Sequence, residues 1–195
     1  MPLSSLPALL LSILLVGYSP GPANVFALAM VLRYGRRAAF RMWFGLLAGF
    51  SCAAAICVLV MHSFGLAFGA FVVYLKYVGA AYLFWLAVRI YRSRGAANQE
   101  CRDCTFWNGF IVQFTNAKII LYELTVFATF VLPYSERLSD LFAVAALLSL
   151  AGPGANLAWL LAGSFLRKFF LRYQRTADGV MAFLLGGCAL WVLLA

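Results

Sequence analysis

Tyr18-Ser19-Pro20-Gly21-Pro22-Ala23-Asn24 lies in the middle of a long apolar segment, and its reading decides the fold. Pro20 and Pro22 remove backbone donors and Gly21 between them loosens the backbone, which interrupts the helical ladder. Lipid supplies no replacement partner, so such a break must be covered by protein or line a wet cavity. Broken helices near the bilayer midplane are the sequence pointer to a transporter's binding site.

The surroundings agree with a membrane setting. The chain of 195 residues is 65% hydrophobic and 11% charged, with a mean hydropathy of +0.94, well outside the range of soluble domains. No charge precedes Arg33, none lies between Arg41 and Lys76, and none lies between Asp140 and Arg167. Several stretches therefore meet the requirement of about 20 apolar residues for a spanning helix. The net charge of +9 is dispersed in short clusters that flank apolar segments, a pattern of membrane topology and not of nucleic-acid binding. The N-terminus lacks a basic region and its apolar run continues to Leu32, so it is expected to stay as a span and not to be cleaved as a signal peptide.

Six spans are expected, at about Leu6 to Leu32, Met42 to Met61, Ala67 to Ile90, Phe106 to Leu132, Leu141 to Leu166 and Asp178 to Ala195. Arg33, Arg36, Arg37 and Arg41 follow the first. Arg89, Arg92, Arg94 and Arg102 flank the third loop, and Arg167, Lys168, Arg172 and Arg175 follow the fifth span. The remaining loops carry no cation or only Arg137. The positive-inside rule then puts loops one, three and five in the cytoplasm and both termini outside, on the periplasmic side. Three spans per half force the halves into opposite orientation, an inverted 3+3 repeat in one transmembrane domain over 1–195. The first repeat covers about 1–91, the cytoplasmic loop about 91–105 and the second repeat about 106–195. The first and fourth spans become counterparts, and both carry polar or broken sequence at mid-membrane.

Within the first break, Ser19, Pro20, Gly21 and Pro22 free backbone groups for a polar ligand, and Asn24 adds an amide that both donates and accepts. Lys118 lies about eleven residues into the fourth span, roughly 17 Å from its start, too deep to snorkel out. Its partner is a substrate carboxylate or an internal acid. Glu123 is the one intramembrane acid and a candidate for coupling, by binding an amino group or exchanging a proton. Standing five residues after Lys118, it does not share its helical face. Gln113 and Asn116 share one face, and either line a cavity or bond between helices. Gly152-Pro153-Gly154-Ala155-Asn156 repeats the logic of the first break inside the fifth span, or its glycines serve only the close approach of a neighbouring helix, with Asn156 available to the same site in either case. Lys76 reads as an interfacial anchor.

Soluble chemistry is absent: there is no Gly-x-Ser-x-Gly elbow, phosphate loop, His-Glu-x-x-His pair or acidic cluster for a metal. No catalytic residue, metal site or cofactor is therefore expected. Cys52, Cys57 and Cys188 read as small core residues. Cys101 and Cys104 form a lone Cys-Arg-Asp-Cys without a second ligand pair.

The Pro20-Gly21-Pro22 motif resembles that of the LysE/RhtB family of bacterial amino-acid exporters. Gln113-Phe114-Thr115-Asn116-Ala117-Lys118-Ile119-Ile120-Leu121-Tyr122, Thr129-Phe130-Val131-Leu132-Pro133 and Trp159-Leu160-Leu161-Ala162-Gly163 are similar to its cysteine/O-acetylserine exporter branch. Many members have Asn-Pro-Lys where this chain has Asn116-Ala117-Lys118, so the polar pair is kept without the proline. Glu123 matches no family motif. The resemblance implies proton-driven efflux of small amino acids across a bacterial inner membrane, with amino acid, proton and membrane lipid as partners; the exposed Gly and Phe surfaces expected of so small a bundle point to a homodimer. Rival readings are an exporter of homoserine, threonine, leucine or a cation, and a lipid-modifying membrane enzyme. An enzyme would show more ionisable residues at one membrane face.

Overall fold

A computed structural model describes residues 5–19, 21–64, 77, 80–81, 84–85, 87–88, 91–92 and 104–194. These form an all-helical bundle: α1 (Leu6–Tyr18), α2 (Pro22–Tyr34), α3 (Arg36–Phe64), α4 (Phe106–Phe114), α5 (Ala117–Val126), α6 (Leu138–Arg172) and α7 (Gln174–Leu194). A π-helical turn, Phe127–Val131, extends α5. No strand occurs among the described residues. The expected third span and Lys76 lie mostly outside them, as do Pro20 and Cys101.

Two helices, Arg36–Ser63 and Leu138–Arg167, are long and apolar enough to cross a membrane by themselves. Two bent pairs qualify when each is taken as one span: α1 with α2, at 49°, and α4 with α5 and its π turn, at 54°. The sixth expected segment forms α7, 21 residues long.

The first bend falls where the proline stretch requires it. The second forms without a proline, because Asn116 turns its backbone to an extended ψ of 93° and then caps α5. The Asn116 carbonyl accepts from Ile119 and Ile120 at 3.0 and 3.1 Å. Thr115 closes α4 by returning both its N–H and its hydroxyl to the Ile111 carbonyl, at 3.0 and 2.7 Å.

The fifth segment departs from expectation. Gly152 to Asn156 does not break it, and α6 runs straight through Pro153. One proline deletes a single donor, the one the Ser149 carbonyl would have accepted, and the helix continues past it; the Pro153 carbonyl in addition accepts the Trp43 indole N–H at 2.9 Å. Gly152 serves close approach instead: a Cβ there would stand 2.5 Å from the Phe50 ring.

Glycines also set the most extensive helix contact, between α3 and α4. A Cβ on Gly45 would collide with the Phe106 carbonyl, one on Gly109 with the Met42 carbonyl, and one on Gly49 would lie 2.6 Å from the Phe110 carbonyl. Gly45-x-x-x-Gly49 is thus a small-residue seam on which α4 lies backbone to backbone. At the α2–α3 corner Gly35 adopts φ 82°, a left-handed conformation that favours glycine, and the Arg167 guanidinium packs on it.

The apolar core divides in two. One cluster holds Phe26, Met30, Met42, Leu46, Val112, Leu160 and Leu185. The other holds Leu9, Ile13, Phe50, Val58, Ile120, Phe127, Leu141 and Leu148. The chain passes between the clusters through Ser19 to Asn24 from α1 to α2 and through Gln113 to Lys118 from α4 to α5, whereas α3 passes from Leu46 to Phe50 without a polar residue.

Replacing Gly45 by Ala is expected to lower stability by about 1–3 kcal/mol through overpacking. Gly154→Ala, whose Cβ meets nothing within 4 Å, should be neutral or stabilising. Thermal unfolding of both variants in one detergent checks the difference.

Candidate functional site

The break after Tyr18 releases the last carbonyls of α1, and each is satisfied from a different source. Leu15 O keeps the Ser19 N–H at 3.3 Å, and Val16 O accepts the Ser19 hydroxyl at 2.9 Å. Gly17 O accepts one N–H of the Asn24 amide at 2.8 Å, and Ser19 O accepts from the same nitrogen at 2.9 Å. Tyr18 O accepts the Trp159 indole N–H of α6 at 3.2 Å. The Lys118 ammonium of α5 donates to Ser19 O at 3.3 Å and to Ser19 Oγ at 2.7 Å. A cation at the carbonyl end of a helix also complements its dipole.

Asn24 links this end to α6, since its Oδ1 accepts the Asn156 amide N–H at 2.6 Å. Asn24, Gln113, Asn116 and Asn156 are all buried, at 1% to 5% exposure, where unmatched polar atoms are costly. Even so, Gln113 Oε1, Asn116 Oδ1 and Asn156 Oδ1 have no hydrogen-bond partner.

These groups surround one cavity. Gly21, Asn24, Gln113, Asn116, Lys118 and Asn156 line it, with Ile13, Phe50, Ile119, Tyr122 and Leu148 as apolar wall. Its volume is about 20 Å³, enough for one water and far below the roughly 300 Å³ at which small-molecule pockets begin. Gly21 and Asn116 are the N-caps of α2 and α5, so two helix N-termini, with first-turn N–H groups outside the ladder, border the cavity.

The structure therefore brings together most of the residues singled out in the sequence. Ser19 reaches the cavity through Lys118, and Pro22 is buried at the start of α2. Gly21 has an extended φ of −162°, so its small size, not its freedom, matters: a Cβ would stand 3.1 Å from Lys118 Nζ. Glu123 does not line the cavity. It is fully buried on the helical face of Ile120 and Val126, which pack into the second apolar cluster. The Cys57 thiol lies beside it, a weak donor, and neither carboxylate oxygen makes a well-formed hydrogen bond.

Trp159, Trp43 and the 2.8 Å bond between Ser12 Oγ and Tyr122 OH were not singled out from sequence. The signal was present in the indole N–H, which needs an acceptor when held in an apolar setting. Trp159→Phe leaves the Tyr18 carbonyl without its donor. The expected loss is about 1–3 kcal/mol, read as a lower unfolding temperature than for a lipid-facing control such as Phe183→Leu.

Comparison with known proteins accords with this architecture. Residues 14–195 match the model of the LysE type translocator family. The cysteine/O-acetylserine efflux protein of Salmonella typhimurium (strain LT2) is 37% identical over 177 residues, covering 90% of this chain and 91% of that protein. Its counterpart in Escherichia coli (strain K12) is 36% identical over 177 residues with the same coverage. No solved structure matches the chain significantly. With nearly its whole length matched, this chain belongs to the LysE type translocator family and is a multi-pass membrane transporter, not an enzyme.

Proposed function

We propose that the protein exports small amino acids, cysteine and O-acetylserine foremost, from the cytoplasm across the bacterial inner membrane. The observation that carries this reading is the cavity between the two broken helices, where a half-buried cation, two helix N-termini and unmatched amide oxygens converge. A zwitterion is the small solute that answers both signs. Its carboxylate takes Lys118 and the first-turn N–H groups of α2 and α5. Asn24, Gln113, Asn116 and Asn156 hold the rest. The names of relatives at 36% and 37% identity support the same substrate class.

The cavity is too small for such a solute in this conformation, so loading requires the halves to part. Six spans in an inverted 3+3 repeat, with both termini periplasmic, supply the symmetry for alternating access. The two bent pairs support the counterpart relation between first and fourth spans.

Proton coupling is assigned to Glu123. A charged carboxylate without partners is unfavourable in an apolar cluster, whereas a carboxyl that takes a proton on one side and yields it on the other can drive export. Its place on α5, the helix that carries Lys118, ties proton exchange to movement at the substrate site.

Lys118→Ala is expected to abolish counterflow of labelled L-cysteine or O-acetyl-L-serine in proteoliposomes while the protein still purifies as a folded species. Wild-type rates in that variant would sink the carboxylate assignment. Glu123→Gln should retain counterflow but lose acceleration of efflux by an imposed inward proton gradient. Unchanged acceleration would remove Glu123 from coupling.

A further inference from the structure

Two amide orientations in the cavity wall, those of Asn24 and Asn156, are fixed by their partners. Asn24 Nδ2 faces two backbone carbonyls, Gly17 O and Ser19 O, which can only accept, so the Asn24 oxygen must point the other way. That oxygen meets Asn156 at 2.6 Å and can itself only accept. Asn156 is thereby compelled to present its nitrogen to Asn24 and its own oxygen away from it. The result is a directed chain that begins at the broken end of α1 and ends in a buried acceptor with no donor, Asn156 Oδ1. Gln113 Oε1 on α4 and Asn116 Oδ1 at the α4–α5 break are two further acceptors, also buried and without a partner, beside the same cavity.

Three side-chain oxygens without a partner border the same small cavity as the Lys118 ammonium. A carboxylate answers Lys118 but not these oxygens, and a neutral hydroxyl brings only one hydrogen. A primary ammonium brings three N–H donors and a positive charge.

We propose that Gln113, Asn116 and Asn156 form an ammonium subsite that makes recognition depend on a free, charged α-amino group. Asn24 is the positioning residue that holds the Asn156 amide in its accepting orientation. This rests on the amino-acid export reading and adds the rule by which the site selects among carboxylates.

The test uses wild-type protein first. Counterflow of labelled L-cysteine is challenged with unlabelled L-cysteine, N-acetyl-L-cysteine and 3-mercaptopropionate, which keep the carboxylate and thiol but alter or lack the amine. The two analogues should compete about tenfold or more weakly than the parent, the effect expected of losing charge-assisted hydrogen bonds. Thermal stabilisation of the detergent-solubilised protein by the same three compounds gives a readout independent of transport.

Gln113→Leu and Asn156→Leu should weaken the parent and leave the analogues unchanged, so that discrimination collapses. Gln113→Glu, which keeps an acceptor, should preserve it, and Asn24→Leu should lower discrimination without touching the ammonium itself. If one variant does not fold, the others and the wild-type comparison still decide. Equal competition by all three compounds, or undiminished discrimination in folded Gln113→Leu and Asn156→Leu, would overturn the subsite and leave amino-acid export standing. Failure of every amino acid to move or to stabilise the protein would overturn both.

Discussion

A helix that stops inside a bilayer leaves carbonyls that water cannot reach, and the rest of this structure depends on how those carbonyls are matched. Leu15, Val16, Gly17, Tyr18 and Ser19 are satisfied by Ser19 itself, by Asn24, by Trp159 and by Lys118. These partners come from α2, α5 and α6, so the defect in the first segment becomes the junction of three others. Matching is incomplete on the far side of that junction, at Gln113, Asn116 and Asn156. The asymmetry is informative: the carbonyls of Leu15 to Ser19 are matched while side-chain oxygens are left over, which is the arrangement expected where a solute completes the bonding.

The two bends reach a similar outcome by different chemistry. The first uses proline to delete donors. The second uses Asn116, whose extended backbone steps out of the helix, and Thr115, whose hydroxyl and N–H both return to Ile111. The glycine seam between α3 and α4 then fixes α4 against a straight helix. The bend at residues 115–116 consequently sets the direction of α5, and with it the places of Lys118 and Glu123, relative to that support.

Much of the site was legible before any coordinates. Pro22, Gly21 and Asn24 marked the break because proline and glycine act locally, and Lys118 stood out because burying a cation demands a partner. The bend at Asn116 was harder to foresee, since Ala117 replaces the proline that usually announces it and the capping depends on φ and ψ, not composition. Gly152 to Asn156 could be read as a third break or as a place of close helix approach, and the second holds: local sequence does not reveal that α6 absorbs the one missing donor, or that Phe50 is the neighbour that needs Gly152. The role of Trp159 was invisible for the same reason: its partner lies 141 positions away. Pairings at that separation are tertiary facts, and residue type alone sets only the need for them.

The size of the central cavity has a consequence for the membrane as a whole. Protons cross hydrophobic barriers along files of hydrogen-bonded water, and one water's worth of space, closed by Phe50, Ile119 and Leu148, does not make a file. On the export reading, this cavity passes a proton only together with a change of conformation, so the site itself does not short-circuit the gradient that neighbouring proteins maintain.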